Sequence, residues 1–232
     1  MQRSRAAPRQ DPPAAQAQMK RILLVDDHPI MRHGLAQLIR TEGGLDVCGD
    51  AGSAAEGIEA VGRCKPDLVI VDLTLPDKNG LELLKDIQAL HPGTFCIVLS
   101  MHDESVYAER ALRAGARGYV MKEAAADHLI GAIRRVLAGG IYVSESMASR
   151  MLEGMTGGGR AKPTASLIDR LTDRELETLE MIGKGVATKL IAERLCISTR
   201  TVEAHRAHIK EKLGITDGAA LVRFAVQWVE SR

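Results

Sequence analysis

The chain has few aromatic residues and no long apolar run. Phe, Trp and Tyr together make up 3% of its 232 residues, so its hydrophobic cores must be built from aliphatic side chains. No apolar stretch approaches the roughly 20 residues that a membrane-spanning helix needs. Residues 1–19 are rich in Ala, Pro, Gln and Arg and lack the apolar segment of a signal peptide. We therefore expect a cytoplasmic protein with no membrane partner and a disordered leader at residues 1–19.

Cysteine is also sparse, and its spacing is uninformative for metal binding. No pair has the CxxC spacing that is typical of zinc sites. The four cysteines are Cys48, Cys64, Cys96 and Cys196. We expect reduced thiols, as is usual in the cytosol, and no zinc site.

The net charge of +1 hides an asymmetry along the chain. From Lys20 to Val143 there are 14 basic and 17 acidic residues, a net charge of −3. From Lys184 to Lys212 there are seven basic and three acidic residues, a net charge of +4. An acidic front and a basic back indicate two domains with different partners.

Strand-like and helix-like segments alternate through residues 20–143. Pro29 suits the first position of a helix, and Ser53 with Glu56 predicts a capping box at the start of the next one. A weak second strand is expected at residues 46–49. Further helices are expected near Gly80–Leu90, Glu104–Ala114 and Ala125–Ala138. Five such strand–helix units predict a doubly wound α/β domain with a five-stranded parallel sheet.

The second part of the chain lacks strand signals. Residues 144–168, with three consecutive glycines at 157–159, predict a flexible linker with a short helix at its front. Residues 169–232 then predict four short helices. Thr172 and Glu175 form a capping box for the first, Ser198 caps the third, and Gly214 ends it. This order, with a basic third helix, indicates an all-α helix-turn-helix domain.

Four apolar runs of the first domain end on polar residues. The runs lead into Asp26 and Asp27, into Asp72, into Ser100 and into Lys122. Because the carboxyl ends of parallel strands meet at one edge of a sheet, these side chains should converge. Crowded carboxylates repel each other, and Mg²⁺ with its preference for oxygen ligands would relieve the repulsion. Asp72 is then a candidate nucleophile for phosphoryl transfer, with Lys122 and Ser100 placed to contact the phosphoryl oxygens.

In order and spacing, these residues resemble the receiver domain of two-component response regulators, over about 120 residues. The matching segments are Leu24–His28, Val71–Pro76, Leu99-Ser100 and Gly118–Lys122. The resemblance implies a flavodoxin-like receiver fold at residues 20–143 with Asp72 as phospho-acceptor. It also implies that Asp26, Asp27, Asp72 and the backbone carbonyl of Thr74 hold Mg²⁺. Ser100 and Tyr119 would form the switch pair that responds to the phosphoryl group.

The third helix of the second domain, expected at Thr199–Leu213, has an apolar face and a basic flank. Arg200, His205, Arg206, Lys210 and Lys212 supply the charges that suit DNA phosphates. This half resembles the LuxR-type helix-turn-helix over about 60 residues. The family pattern implies base contacts from Glu203, Ala204 and Ala207, and backbone contacts from Thr188, Lys189, Thr201, His205, Arg206 and Lys210. Some members carry Lys at the positions of Glu203 and Ala207, so the target sequence stays open.

Two features of this domain have an alternative interpretation. Glu203 either accepts a hydrogen bond from a base or favours the helix dipole as an acid in the first turn. The apolar stripe on the last helix, which includes Leu221 and Trp228, is mainly core but offers part of a dimer face.

Together the two halves resemble a response regulator of the NarL/FixJ family. That resemblance implies a DNA-binding transcriptional regulator, not an enzyme beyond its own phosphorylation and dephosphorylation. A sensor histidine kinase would phosphorylate Asp72, phosphorylated chains would form homodimers on DNA, and RNA polymerase would be a partner. Two alternatives remain at this point. One is a DNA-binding regulator that works without phosphorylation; the other is a phosphohydrolase that uses an aspartyl phosphate, which Thr74 disfavours because a second acid is expected there.

Overall fold

The computed structural model describes residues 19–155 and 167–231. Its first part contains a five-stranded, fully parallel sheet in the order β2-β1-β3-β4-β5. The strands are β1 Lys20–Val25, β2 Leu45–Ala51, β3 Leu68–Val71, β4 Phe95–Ser100 and β5 Gly118–Met121. The predicted doubly wound α/β architecture is therefore confirmed.

Helices follow the strands in turn. They are α1 Pro29–Arg40, α2 Ala54–Cys64, α3 Gly80–Leu90, α4 Glu104–Arg113 and α5 Ala125–Leu137, the last preceded by a 3₁₀ turn at Lys122–Ala124. Pro29 occupies the start of α1 as predicted. Ser53 caps α2 by accepting from the Glu56 amide, but the Glu56 carboxylate accepts from the Gly52 amide and so does not close the box onto Ser53.

The second strand is longer than the predicted residues 46–49. It pairs with β1 along its whole length, with an irregularity in register between Ile22 and Leu23. Leu45, Val47 and Ala51 are buried along it. Asp46, Gly49 and Asp50 weaken the strand pattern in the sequence, because these residue types are rare in strands, whereas pairing with the buried interior strand β1 stabilises it.

Both faces of the sheet are covered, as the apolar runs of the parallel strands require. One core lies between the sheet and the helices α1 and α5, and includes Leu35, Ile39 and Leu129. The other lies under α2, α3 and α4, and continues without a break into the apolar residues of the second domain, among them Leu171 and Leu176.

Among its described residues, the second part of the chain contains helices and connecting turns but no strand. After α6 Glu145–Met155, its helices are α7 Asp173–Gly183, α8 Thr188–Arg194, α9 Thr199–Leu213 and α10 Gly218–Glu230. The predicted capping box is present, with Thr172 and Glu175 exchanging hydrogen bonds. Ser198 caps α9, and Gly214 follows it with a φ of 67°, a left-handed conformation that glycine adopts without strain.

The predicted short helix at the front of the linker is α6. The linker glycines at 157–159 and the predicted leader, apart from Met19, lie outside the described residues. Within the described ranges, none of the helices combines the length and apolar character needed to cross a bilayer.

Helix α7 of the second domain docks on α3 and α4 of the first. Arg110 of α4 donates hydrogen bonds to the carbonyls of Leu171 (2.8 Å) and Ile168 (2.8 Å) and to the Asp173 carboxylate (3.1 Å). The Asn79 amide donates to the Glu177 carboxylate at 2.7 Å. In this docked arrangement the two domains share a polar interface that the sequence did not predict.

Candidate functional site

The acidic residues at the strand ends come together because β1 and β3 are neighbours. Val25 lies opposite Val71 in the parallel register, so Asp26 and Asp72 leave the sheet side by side. The Asp72 amide donates to the Val25 carbonyl at 2.8 Å, which carries the pairing as far as the acid itself. Both side chains are buried, each with 3% of its residue surface exposed. The predicted convergence of carboxylates is thus present.

Lys122 joins the two carboxylates from the end of β5. Its Nζ lies 2.7 Å from Asp72 Oδ2 and 2.6 Å from Asp26 Oδ2. Burial lowers the pKa of the ammonium, but the two carboxylates outweigh burial and raise it above its usual value. Burial also raises the pKa of Asp72. The Lys122 ammonium opposes this rise, and the nearby Asp26 carboxylate adds to it. The arrangement holds one cation among carboxylates that are costly to bury without a partner.

The carboxylate cluster has spare oxygen ligands for a divalent cation. Ligand atoms of Asp26, Asp27, His28 and Asp72 all lie within 4.8 Å of one another. Asp26 Oδ2 and Asp27 Oδ1 are buried and lie close to the Lys122 ammonium and the His28 ring, respectively, but accept no well-oriented hydrogen bond among the described residues. Under-satisfied carboxylate oxygens of this kind fit a hard cation such as Mg²⁺.

Thr74 lies two residues beyond Asp72, on the loop between β3 and α3. Its amide donates to Asp72 Oδ1 at 3.2 Å, and its exposed side chain contacts His102 Nε2 at 3.2 Å. The loop therefore wraps around the Asp72 carboxylate. Metal binding by the Thr74 carbonyl stays a prediction.

Ser100 and Tyr119, the predicted switch pair, lie on the adjacent strands β4 and β5 and are both buried. Ser100 Oγ accepts a hydrogen bond from the His102 amide at 3.1 Å. The Tyr119 hydroxyl donates to the His102 carbonyl at 2.7 Å. Burial raises the pKa of the Tyr119 phenol, so the hydroxyl stays protonated and able to donate. Both side chains thus contact the same peptide segment.

Gly80 contributes to the site in a way that the sequence analysis missed. A Cβ atom at this position would lie 2.1 Å from the Asp72 carbonyl oxygen and 2.7 Å from Leu73 Cα. The preceding residue, Asn79, is fully buried and caps α3 by accepting from the Leu81 amide. The Asn-Gly pair in the sequence marks a turn, but only the packing of α3 against the end of β3 shows why glycine is needed there.

The predicted DNA-facing side chains lie on and beside α9. Its buried residues are Val202 and Ile209, whereas Glu203, Ala204 and Ala207 are exposed in the docked arrangement. The three predicted base-contacting residues are therefore on an open surface. Thr188 and Lys189 open the preceding helix α8, next to α9.

Some of the charged side chains on α9 form ion pairs within the protein. Lys212 lies 2.6 Å from Glu175 and links α9 to α7, while Arg206 and Thr188 both contact Glu203. In the DNA-free protein, Glu203 therefore links α8 to α9 through Thr188 and pairs with Arg206 on its own helix. The structure leaves Lys210 and Lys189 without an ion pair among its described residues, on the side predicted to face the DNA backbone.

His205 differs from the other predicted backbone contacts. It is half-buried, and burial lowers the pKa of its imidazole, although Glu175 opposes this shift and His208 adds to it. His205 is therefore neutral near pH 7 and suits a hydrogen bond more than an ion pair with a phosphate.

Three glutamates of α7 are buried, which helical periodicity did not predict. Glu175, Glu177 and Glu180 expose 3%, 2% and 4% of their surfaces, alongside the expected apolar Leu176 and Leu179. Each carboxylate has hydrogen-bond or ion-pair partners. Glu175 accepts from Lys212 and the Thr172 amide, and Glu177 accepts from Asn79 and Arg174. Glu180 contacts His102, Tyr107 and Lys184. Glu177 and Glu180 look like part of a solvated face in the sequence, because the receiver residues that bury them lie far away along the chain.

Comparison with protein families identifies both halves. Residues 22–134 match the response regulator receiver domain, and residues 169–225 match the bacterial regulatory proteins of the luxR family. This chain belongs to the NarL/FixJ family of two-component response regulators. It is a DNA-binding transcription regulator with a receiver domain and a LuxR-type helix-turn-helix domain, and not a classical enzyme.

Individual relatives cover nearly the whole chain. The transcriptional regulatory protein UhpA of Escherichia coli (strain K12) is 37% identical over 87% of this chain and 95% of that protein. The oxygen regulatory protein NreC of Staphylococcus carnosus is 34% identical over 89% of this chain and 97% of that protein. RcsB of Salmonella enterica serovar Typhimurium, solved on a promoter with the phosphomimetic BeF3−, is 26% identical. It aligns with a TM-score of 0.61 over 89% of this chain and 98% of that one.

Proposed function

We propose that this response regulator is switched by phosphorylation of Asp72. The observation that carries the proposal is the buried Asp72 carboxylate at the carboxyl edge of the sheet, which shares the Lys122 ammonium with Asp26. A sensor histidine kinase supplies the phosphoryl group, and the phosphorylated chain forms homodimers that bind a promoter through α9. RNA polymerase is the partner through which DNA binding then affects transcription.

The reaction transfers a phosphoryl group between two nucleophiles. A carboxylate oxygen of Asp72 bonds to phosphorus while the bond from phosphorus to the kinase histidine nitrogen breaks, and the electron pair of that bond stays on the nitrogen. Lys122 already lies beside Asp72 and offers its ammonium to a phosphoryl oxygen. The Ser100 hydroxyl donates to another oxygen once it turns inward, and Tyr119 moves into the space that Ser100 leaves.

The acidic cluster suits Mg²⁺, which would be held by Asp26, Asp27, Asp72 and the Thr74 carbonyl. When bound, Mg²⁺ supplies positive charge that offsets the repulsion between the carboxylate and the incoming phosphoryl group. Asp26 and Asp72 also repel each other, so loss of the cation would leave Lys122 as their main counter-charge.

DNA is contacted by the exposed face of α9. Glu203, Ala204 and Ala207 reach base edges, and the small alanine side chains let the helix lie close to the bases. The DNA backbone is contacted by six side chains of α8 and α9: Thr188, Lys189, Thr201, His205, Arg206 and Lys210.

The test compares the wild-type chain with Asp72→Asn in acetyl phosphate and Mg²⁺. We expect one acid-labile phosphoryl group on the wild-type protein, with acetate released, and none on the variant, as measured by intact mass and phosphate-affinity electrophoresis. Removal of Mg²⁺ with EDTA should abolish the modification of wild type.

Asp86→Asn is the matched control, since Asp86 is an aspartate on α3 that pairs with Lys78 away from the pocket. It should be phosphorylated like wild type. Equal phosphorylation of the Asp72 variant and wild type would show that the acceptor site is assigned wrongly. Equal affinity of phosphorylated and unphosphorylated wild type for a selected promoter would instead favour regulation without phosphorylation.

A further inference from the structure

One side chain, His102, connects the acidic pocket to the DNA-binding domain. It lies just after β4, on the loop that leads to α4. Its Nε2 is 3.2 Å from Thr74 Oγ1, on the loop that wraps around Asp72. Its Nδ1 is 3.2 Å from Glu180 Oε2, on α7 of the second domain. A planar ring with a partner on each nitrogen has its orientation fixed by both domains.

The backbone of His102 is held by the two residues of the predicted switch pair. Its amide donates to Ser100 Oγ at 3.1 Å, and its carbonyl accepts from the Tyr119 hydroxyl at 2.7 Å. If the Ser100 hydroxyl turns to a phosphoryl group and Tyr119 follows, the same two movements remove both hydrogen bonds from the His102 backbone. His102 is therefore placed to respond to either partner of the switch.

Glu180 is held against the first domain by its burial and by several polar contacts. It is 4% exposed and accepts from the Tyr107 hydroxyl of α4 at 3.0 Å, while Lys184 lies 2.8 Å away. Burial raises the pKa of Glu180, but its contacts with His102 and Lys184 outweigh burial and lower it to about 2. Glu180 thus stays a carboxylate at neutral pH, and a buried carboxylate needs its partners in place.

Docking does not cover the DNA-reading face. Glu203, Ala204 and Ala207 are exposed while α7 lies against α3 and α4. The receiver therefore has no need to uncover α9. What docking controls is the freedom of the second domain to take up a different position relative to the first.

We propose that His102 is a positioning residue that couples the phosphorylation pocket to domain docking through Glu180. In the docked state, the His102–Glu180 contact holds the His102 backbone, to which Ser100 and Tyr119 bind, and so favours their resting positions. Recruitment of Ser100 to a phosphoryl group frees the His102 backbone and weakens the His102–Glu180 contact. The proposal rests on the proposed phosphorylation of Asp72.

Coupling of this kind is reciprocal for equilibrium binding. If phosphorylation weakens docking, then weaker docking must raise the affinity of the pocket for a phosphoryl mimic. Beryllofluoride with Mg²⁺ is a suitable probe because it binds reversibly, and its affinity for the full chain can be measured by ¹⁹F NMR titration.

The experiment measures beryllofluoride affinity for wild type, Glu180→Gln, His102→Ala and the double variant. We expect each single variant to bind at least about fivefold more tightly than wild type. The double variant should bind no more tightly than either single one, because both changes break the same contact. An unchanged affinity in Glu180→Gln, or fully additive effects in the double variant, would overturn the proposal.

Small-angle X-ray scattering supplies a second readout that a local effect at the pocket would not move. Without beryllofluoride, the monomeric variants should be more extended than monomeric wild type. Glu193→Gln, an exposed glutamate on α8, is the matched control and should behave as wild type in both measurements. Variants that stay as compact as wild type would overturn the proposal.

His102→Asn guards against a folding defect in the alanine variant. Its side-chain amide can still donate to Glu180 but cannot reach Thr74, so it should retain much of the docked state. An extended His102→Asn variant would contradict the role given to Glu180. The proposed function fails separately: beryllofluoride and acetyl phosphate would then act on Asp72→Asn as they do on wild type.

Discussion

Replacement of Gly80 by Ala should disturb both the stability of the receiver and the position of Asp72. The added Cβ would lie 2.1 Å from the Asp72 carbonyl oxygen and 2.9 Å from its carbonyl carbon. These neighbours are backbone atoms of a buried strand end, so they cannot rotate away as a flexible side chain would. The start of α3 or the end of β3 has to move by about 1 Å to restore an ordinary contact.

The size of the effect follows from the cost of overpacking. Forced insertion of a methyl group into a packed site costs about 1–3 kcal/mol, equivalent to a fall in Tm of roughly 2–12 °C for a chain of this length. Differential scanning calorimetry of the full chain measures this fall. Because the displaced atoms belong to Asp72, we also expect slower phosphorylation by acetyl phosphate than in wild type.

Gly131→Ala is the matched control for Gly80→Ala. Gly131 lies within α5, and a Cβ there would meet no atom within 4 Å. Alanine should stabilise this helix by about 0.5–1 kcal/mol, because it loses less backbone entropy than glycine on folding. If Gly80→Ala matches Gly131→Ala in Tm and in phosphorylation rate, the close approach of α3 to the Asp72 backbone is refuted.

Two further predictions concern the second domain. Arg206→Ala or Lys210→Ala should weaken binding to all DNA sequences and reduce the slope of log affinity against log salt by about one unit, since each removes one phosphate contact; fluorescence anisotropy at several salt concentrations measures this slope. Glu175→Gln should destabilise the second domain by about 1–3 kcal/mol at pH 7, because Glu175 caps α7 through the Thr172 amide and pairs with Lys212. Contacts with Lys212 and Thr172 outweigh burial and hold the pKa of Glu175 below 4.5, so its contribution is fully present above pH 4.5 and the difference from wild type should shrink as the pH falls further.

Controls for these two predictions come from exposed residues. Arg113→Ala on α4 of the receiver should leave the salt slope unchanged, because its side chain is exposed and pairs with Glu109 far from α9. Glu193→Gln should leave the unfolding free energy of the second domain unchanged at every pH. A salt slope that stays at the wild-type value in Arg206→Ala and Lys210→Ala would remove both residues from the phosphate contacts. A Glu175→Gln variant as stable as wild type at pH 7 would contradict the capping role.

The sequence by itself determined the architecture and the acidic pocket. Apolar runs ending on Asp26, Asp72, Ser100 and Lys122 gave the strands and their common edge, because buried parallel strands must be apolar on both faces. Local capping chemistry fixed helix starts such as Thr172. These features depend on neighbours in the chain or on a rule that all parallel sheets obey, so one sequence suffices to predict them.

Only the tertiary structure decided how the two domains meet and which polar residues are buried there. Glu177 and Glu180 look like solvated acids within α7, and His102 looks like an isolated loop residue. Their partners in the other domain lie 73 to 98 residues away along the chain, and periodicity carries no information about contacts at that separation. The requirement for glycine at position 80 also depends on the tertiary structure, because α3 packs so closely on the end of β3 that a side chain would not fit. The local sequence pattern thus determined the helices, the strands and the chemistry of the pocket. Long-range packing decided which residues connect that pocket to the DNA-binding domain.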